Sequence, residues 1–170
     1  NDPEMQEKFW DIYLARAHIY LYMKKYNLAA KDFRIYNIYS NNITVGYLGE
    51  GDALTKLSRY QEAVKWYTKV ISENSTNGSD QILYKTVVER RALAYFMMKE
   101  YSKAKEDFET IHGFGDSTIK ANYYIGKIYT KLNDTNSAIL HFEQVLKFSD
   151  ENYFSGNALY EMAKIRIKQK

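Results

Sequence analysis

The stretch Arg59-Tyr60-Gln61-Glu62-Ala63-Val64-Lys65-Trp66-Tyr67 decides the reading, because its pattern (aromatic, two residues, Ala, three residues, aromatic) recurs along the chain. Lys25-Tyr26-Asn27-Leu28-Ala29-Ala30-Lys31-Asp32-Phe33 and Glu100-Tyr101-Ser102-Lys103-Ala104-Lys105-Glu106-Asp107-Phe108 match it in full. Asp134-Thr135-Asn136-Ser137-Ala138-Ile139-Leu140-His141-Phe142 keeps the Ala and the second aromatic. Ala29 to Ala63 and Ala104 to Ala138 are each 34 residues, and Ala63 to Ala104 is 41. A single insertion accounts for the difference. The polar run Asn74-Ser75-Thr76-Asn77-Gly78-Ser79-Asp80 is where it falls, so residues 74–80 are expected outside the helices as a lengthened loop.

Working outward, a small residue precedes each of these alanines by twelve positions: Ala17, Gly51, Ala92 and Gly126. Three residues further on come Tyr20, Leu54, Tyr95 and Tyr129. A small side chain lets two helices approach closely, and a large one a turn later fills the space beside the contact. The alternation predicts helical hairpins, small against small, locked by aromatics.

At these residues the chain resembles the tetratricopeptide repeat family, whose unit is a helix-turn-helix of this length. The resemblance covers roughly residues 10–152. It implies an all-α fold, a right-handed superhelix (α-solenoid) of about four hairpins over 10–43, 44–77, 85–118 and 119–152, within one domain spanning 1–170. A capping helix over 155–169, with Ala163 as its small residue, would cover the end of the last repeat. Asp2 and Pro3 suit an N-cap and first turn, placing the start of the first helix near Pro3. The family's usual proline after the second helix is replaced by Asn41, Ser75, Asp116 and Asp150, and its leading tryptophan by Tyr13, Tyr47, Val88 and Asn122.

Composition excludes several classes. A net charge of +3, from 24 Lys and Arg against 21 Asp and Glu, lacks the concentrated positive charge of a protein whose main partner is a phosphate backbone. No nucleic acid partner is expected; the one contrary feature is the cluster of Tyr123, Tyr124, Lys127, Lys131 and Lys164. With no cysteine there is no disulfide scaffold, thiolate nucleophile or Cys-ligated metal, and the compartment stays open. No apolar run approaches the length that spans a bilayer. Because the chain starts at Asn1 rather than Met, it reads as a domain or processed form of a longer protein.

No catalytic constellation is found and no cofactor is expected. His18, His112 and His141 lack a second ligand at helical spacing, so no metal site is expected. Gly46, Gly49 and Gly51 read G-x-x-G-x-G, which is a packing surface rather than a dinucleotide fingerprint. His112-Gly113-Phe114-Gly115-Asp116 reads as a helix end with glycine caps. The Asn-x-Ser/Thr triplets at Asn42, Asn74, Asn77 and Asn133 fit chance in polar loops.

The function that remains is a non-catalytic scaffold for protein–protein interaction, with self-association as the alternative. In stacked helix pairs the first helices line the concave side, and the groove residues lie a turn either side of the small residue. This assigns to the groove Leu14, His18, Leu21 and Tyr22; Leu48, Asp52 and Lys56; Glu89, Arg90, Leu93, Phe96 and Met97; Lys120, Tyr123, Tyr124, Lys127 and Lys131; and Tyr160 and Lys164. Tyr123, Tyr124, Lys127 and Arg90 are expected together and partly exposed, with Phe96 or Met97 as an apolar floor. Aromatic and basic groups suit a protein or peptide partner with apolar anchors and acidic residues. The carboxylate clamp by which family members hold chaperone C-termini would need Lys and Asn, where this chain has Leu14, His18, Gly49, Thr86 and Arg90. Only Arg90 fits, and that mode is rejected.

Overall fold

The computed structural model describes residues 3–40, 43–77, 80–113, 116–147 and 153–168, and side chains over 10–40, 44–73, 80–113, 118–147 and 153–168. Among them the chain forms nine helices and no strand: α1 (Pro3–Tyr22), α2 (Tyr26–Tyr39), α3 (Ile43–Lys56), α4 (Tyr60–Asn77), α5 (Gln81–Met97), α6 (Tyr101–Ile111), α7 (Asp116–Lys131), α8 (Thr135–Lys147) and α9 (Tyr153–Lys168). The all-α expectation holds. Contacts divide the chain into two compact units, Asn1–Met98 with α1 to α5 and Lys99–Lys170 with α6 to α9.

The turns repeat with the helices. Lys24, Ser58, Lys99 and Asn133 have positive φ, between 57° and 63°, and each stands five residues before its repeat alanine. At three of them the next residue donates its N–H back to the large residue of the preceding helix: Lys25 to Tyr20, Arg59 to Leu54 and Asp134 to Tyr129. This is the Schellman closure, which satisfies carbonyls left open at a helix end and turns the chain back for the second helix. Asn133, the last of the Asn-x-Ser/Thr triplets, therefore acts as a helix cap. Asn42 and the side chains of Asn74 and Asn77 lie outside the described residues, as do Asp2 and Gly115.

In the first unit α2 packs between α1 and α3, and α4 between α3 and α5. Ala17, Ala29, Ala30, Phe33 and Ala53 form one core cluster, and Leu54, Ala63, Tyr67, Val70 and Val87 belong to the next. In the second unit α7 packs against α6 and α8, and α9 lies on α8 and α7. Its core gathers Tyr123, Ala138, Phe142, Val145, Ala158, Met162 and Ile165.

The close contact inside a pair differs from the expected small against small. A Cβ on Gly51 would stand 2.7 Å from the Tyr67 ring, and one on Gly126 2.7 Å from the Phe142 ring. The small residue thus makes room for the aromatic ring of the second helix, while the repeat alanine is buried beside it. Gly46 and Gly49 make the same allowance for α2, facing Asn37 and Phe33. The glycine cluster is a packing surface.

Buried acids tie neighbouring helices in the first unit. Arg16 of α1 grips Asp32 of α2 through Nε and Nη2 at 2.6 and 3.0 Å. Arg34 of α2 donates to Glu50 of α3 at 2.9 and 2.8 Å, and Asn37 Nδ2 adds a third bond at 3.0 Å. Asp32 and Glu50 are both buried, so these donors stabilise charges that water no longer reaches.

Two expectations need correction. Residues 74–77 belong to α4, because no glycine or proline interrupts the chain before Gly78, and the insertion is taken up largely as extra helix. Asp80 then caps α5, accepting from the Ile82 and Leu83 N–H groups. In α9, Ala163 is exposed, and the buried face is Ser155, Ala158, Met162 and Ile165. The 34-residue spacing from Gly126 reaches Tyr160, so Ala163 stands a turn beyond the small position, on an exposed face of α9.

Ser58 pays the left-handed penalty of a side chain at φ 59°. Ser58→Gly should raise stability by about 1 kcal/mol in urea denaturation; a loss of stability would contradict the turn geometry.

Candidate functional site

The first unit carries a cleft of about 460 Å³ where the C-terminal turns of α1 and α3 meet α4 and α5. Its apolar walls are Leu21, Tyr22, Tyr26 and Leu93, and its polar groups are Lys24, Asp52, Thr55, Lys56, Tyr67 and Arg90. Leu21, Tyr22, Asp52, Lys56, Arg90 and Leu93 come from the groove positions read in the sequence. Lys24 comes from the turn between α1 and α2, Tyr26 opens α2, and Tyr67 is a core residue that also reaches the lining.

Tyr67 connects fold to site. Its ring passes over Gly51, and its hydroxyl emerges in the cleft, where it donates to Asp52 Oδ1 at 2.9 Å and stands 3.0 Å from Thr55 Oγ1. Arg90 Nη1 donates to Asp52 Oδ2. Burial pushes the Asp52 carboxyl above the usual range, and the Arg90 charge and the Tyr67 bond oppose that shift. Burial, reinforced by the Asp52 charge, pushes the Tyr67 hydroxyl up strongly, so it remains a donor. Lys24, Lys56 and Arg90 outnumber Asp52, the one carboxylate of the lining.

The second unit brings together Tyr123, Tyr124 and Lys127. The Tyr124 ring stacks on Phe108 at 5.2 Å and meets Tyr123 edge-on at 5.3 Å. Lys127 Nζ stands 5.5 and 6.0 Å from the two tyrosine rings, within cation–π range. Tyr123 corrects an expectation: it is 6% exposed, packed against Phe142 and Phe154, rather than partly open to the groove. Burial pushes its hydroxyl up to about 12, with the Glu161 charge adding to the shift. The reason is Phe154 of α9, a distant residue that covers this part of α7. Lys120 is half-buried on the same helix and Lys131 is exposed at its end.

The other assigned residues fall elsewhere. His18 is exposed and meets the Phe33 ring edge-on at 5.2 Å. Phe96 is half-buried and Met97 exposed near the end of α5, outside the cleft lining. His112 and His141 share a polar contact that their spacing did not suggest: Asn122 places its Nδ2 3.2 Å from His112 Nε2 and its Oδ1 2.9 Å from His141 Nδ1. Burial, then the neighbouring His112, lowers the pKa of His141. Among the described residues no group of three or more His, Asp or Glu is placed to hold a metal ion. Nor is any described helix long and apolar enough to cross a membrane.

The tetratricopeptide repeat family model matches residues 46–77 and 119–152. No curated protein matches the sequence. Among solved structures, a tetratricopeptide repeat protein from Parabacteroides merdae ATCC 43184 is similar with TM-score 0.75 and 18% identity, over 94% of this chain and 60% of that one. MamA 41-end from Desulfovibrio magneticus RS-1 is similar with TM-score 0.71 and 16% identity, over 82% and 75%. BtubC from P. vanneervenii is similar with TM-score 0.64 and 14% identity, over 99% and 84%. At these identities the likeness concerns the fold.

The cleft chemistry is testable through Tyr67→Phe, which keeps the ring over Gly51 and removes the donor to Asp52. The midpoint of the Asp52 carboxyl, followed by carbon NMR, should rise further, because the charged form loses a hydrogen bond. The variant should also lose about 1 kcal/mol of stability. An unmoved midpoint would separate Tyr67 from the cleft.

Proposed function

We propose that this chain, a protein built of tetratricopeptide repeats, is a non-catalytic scaffold that holds a segment of a partner protein in the cleft of its first unit. The observation that carries this reading is the composition of that cleft: apolar and aromatic walls beside three cations and one carboxylate. Its volume of about 460 Å³ suits one or two anchoring side chains rather than a large cofactor. Leu21, Leu93 and the tyrosine faces favour an apolar anchor, and Lys24 and Lys56 favour Asp or Glu on either side of it. Asp52 keeps Arg90 oriented, so that guanidinium enters the complex with little ordering left to do. In the second unit, Lys127 over its tyrosine rings is a separate place where an acidic group is held.

The test is a set of synthetic peptides with one Leu or Phe flanked by Asp and Glu, titrated against the chain by fluorescence anisotropy. Tyr22→Ala, Lys56→Glu changes two exposed side chains, so helical circular dichroism and melting point should stay those of the parent. Affinity should fall about tenfold or more, roughly 1.4 kcal/mol. Lys127→Glu reports separately on the second unit. Peptides that bind the double variant as tightly as the parent would remove the cleft as the site. A steep loss of binding to single-stranded nucleic acid with added salt would support the rival reading.

A further inference from the structure

The charge of Asp52 depends on groups that an acidic partner also needs. Asp52 of α3 faces Tyr67 of α4 and Arg90 of α5, with Lys56 a turn further along its own helix, and Lys24 completes the charged lining of the cleft. The Asp52 side chain is 30% exposed and that of Arg90 35%, so both stand open to the cleft. Burial is the largest influence on the Asp52 carboxyl and raises its pKa; the Arg90 charge, the bonds from Tyr67 and Arg90 and the Lys56 charge pull it back down.

An acidic segment entering the cleft draws on the same support. Arg90 uses Nη1 on Asp52, and a guanidinium carries several N–H donors in a planar fork, so a second carboxylate can share it. The newcomer sets a like charge beside Asp52, competes for Lys24, Lys56 and Arg90, and shuts solvent away from the carboxyl. Each of these changes disfavours the ionised form. Two carboxyl groups sharing one guanidinium stop repelling each other once one of them is protonated, because the acid then donates a hydrogen bond to the carboxylate. Asp52 is the better proton acceptor of the two, since it starts half-buried while a peptide carboxylate starts in water. Tyr67 donates to Oδ1, which leaves Oδ2 as the oxygen to carry the proton.

We propose, resting on the reading of this cleft as the site for an acidic segment, that Asp52 takes up one proton from solvent as a carboxylate of the partner docks beside Arg90. In the free chain Asp52 is a carboxylate that orients Arg90. In the complex it is a carboxylic acid whose Oδ2–H donates to the partner. The complex then holds more protons than its separate parts, so affinity rises as pH falls, until the carboxylates of the partner themselves titrate.

The probe is the peptide with one Leu flanked by Asp and Glu, its ends blocked, titrated by fluorescence anisotropy. It is measured from about pH 7.5 to about pH 5.5, a range in which its own carboxyls, with ordinary pKa values of about 4, stay ionised. Parent affinity should rise about fivefold or more over that range, and calorimetry in buffers of different ionisation enthalpy should show proton uptake on binding. Asp52→Asn should bind with an affinity that does not change with pH. His18 lies on α1 outside the lining; a rise that survives Asp52→Asn belongs to an imidazole and overturns the proposal. Where Asp52→Asn loses helical signal, the parent decides alone. Its Asp52 carboxyl midpoint, followed by carbon NMR, should move up on saturation with peptide, and a midpoint that stays or falls overturns the proposal. A peptide bound equally at both ends of the range overturns it too, while leaving the cleft as the binding site. A peptide that binds at no pH overturns the reading of the cleft and the proton uptake with it.

Discussion

An aromatic ring lying where a side chain is missing closes two helix pairs of this protein, α3 with α4 and α7 with α8. Tyr67 over Gly51 and Phe142 over Gly126 fix the distance between paired helices, because neither glycine could carry a methyl group without moving a ring. From that contact the rest of the pair follows. The repeat alanine is buried one turn from the ring, the large residue after the small one supplies the carbonyl for the Schellman closure, and the left-handed turn residue falls at a fixed distance from both. Because Tyr67 crosses an empty position, its hydroxyl reaches Asp52, and the side chain that closes a pair also furnishes a polar group in the cleft.

Charge is handled differently in the interior and at the cleft. Asp32 and Glu50 are buried and gripped by arginines from adjacent helices, which pins those helices to one another. Asp52 is held by one arginine and one phenol in a partly open setting, and lysines stand nearby. In the first arrangement the carboxylates are closed to a partner, while the arginines keep half of their surface in solvent. The second leaves cations beside apolar walls, which is the setting in which an acidic, apolar segment gains both desolvated contact and charge pairing.

The helices were legible in the sequence because the spacing of small and aromatic residues is dictated by local packing. What was not legible depends on neighbours distant in sequence. Tyr123 obeys the groove rule by position, yet Phe154 covers it. Ala163 has the right size for a helix contact, yet it stands a turn beyond the register set by the 34-residue spacing, on an exposed face. Residues 74–77 have loop-like composition, yet the helix they extend was already nucleated by the apolar face of α4. His112 and His141 meet at Asn122 only because α6, α7 and α8 fold together, and no spacing along one helix announces that.

The ring-over-glycine contact sets two effects of opposite sign against each other at Gly126. Helix propensity alone makes Gly126→Ala stabilising by about 1 kcal/mol. The 2.7 Å approach of Phe142 makes it destabilising by about 1 to 3 kcal/mol through overpacking. A double-mutant cycle of Gly126→Ala with Phe142→Leu, read by urea denaturation, decides between them. The account predicts that Gly126→Ala destabilises the parent and that the cost largely disappears in the Phe142→Leu background, a coupling on the order of 1 kcal/mol. A stabilising Gly126→Ala, or two effects that simply add, would contradict it.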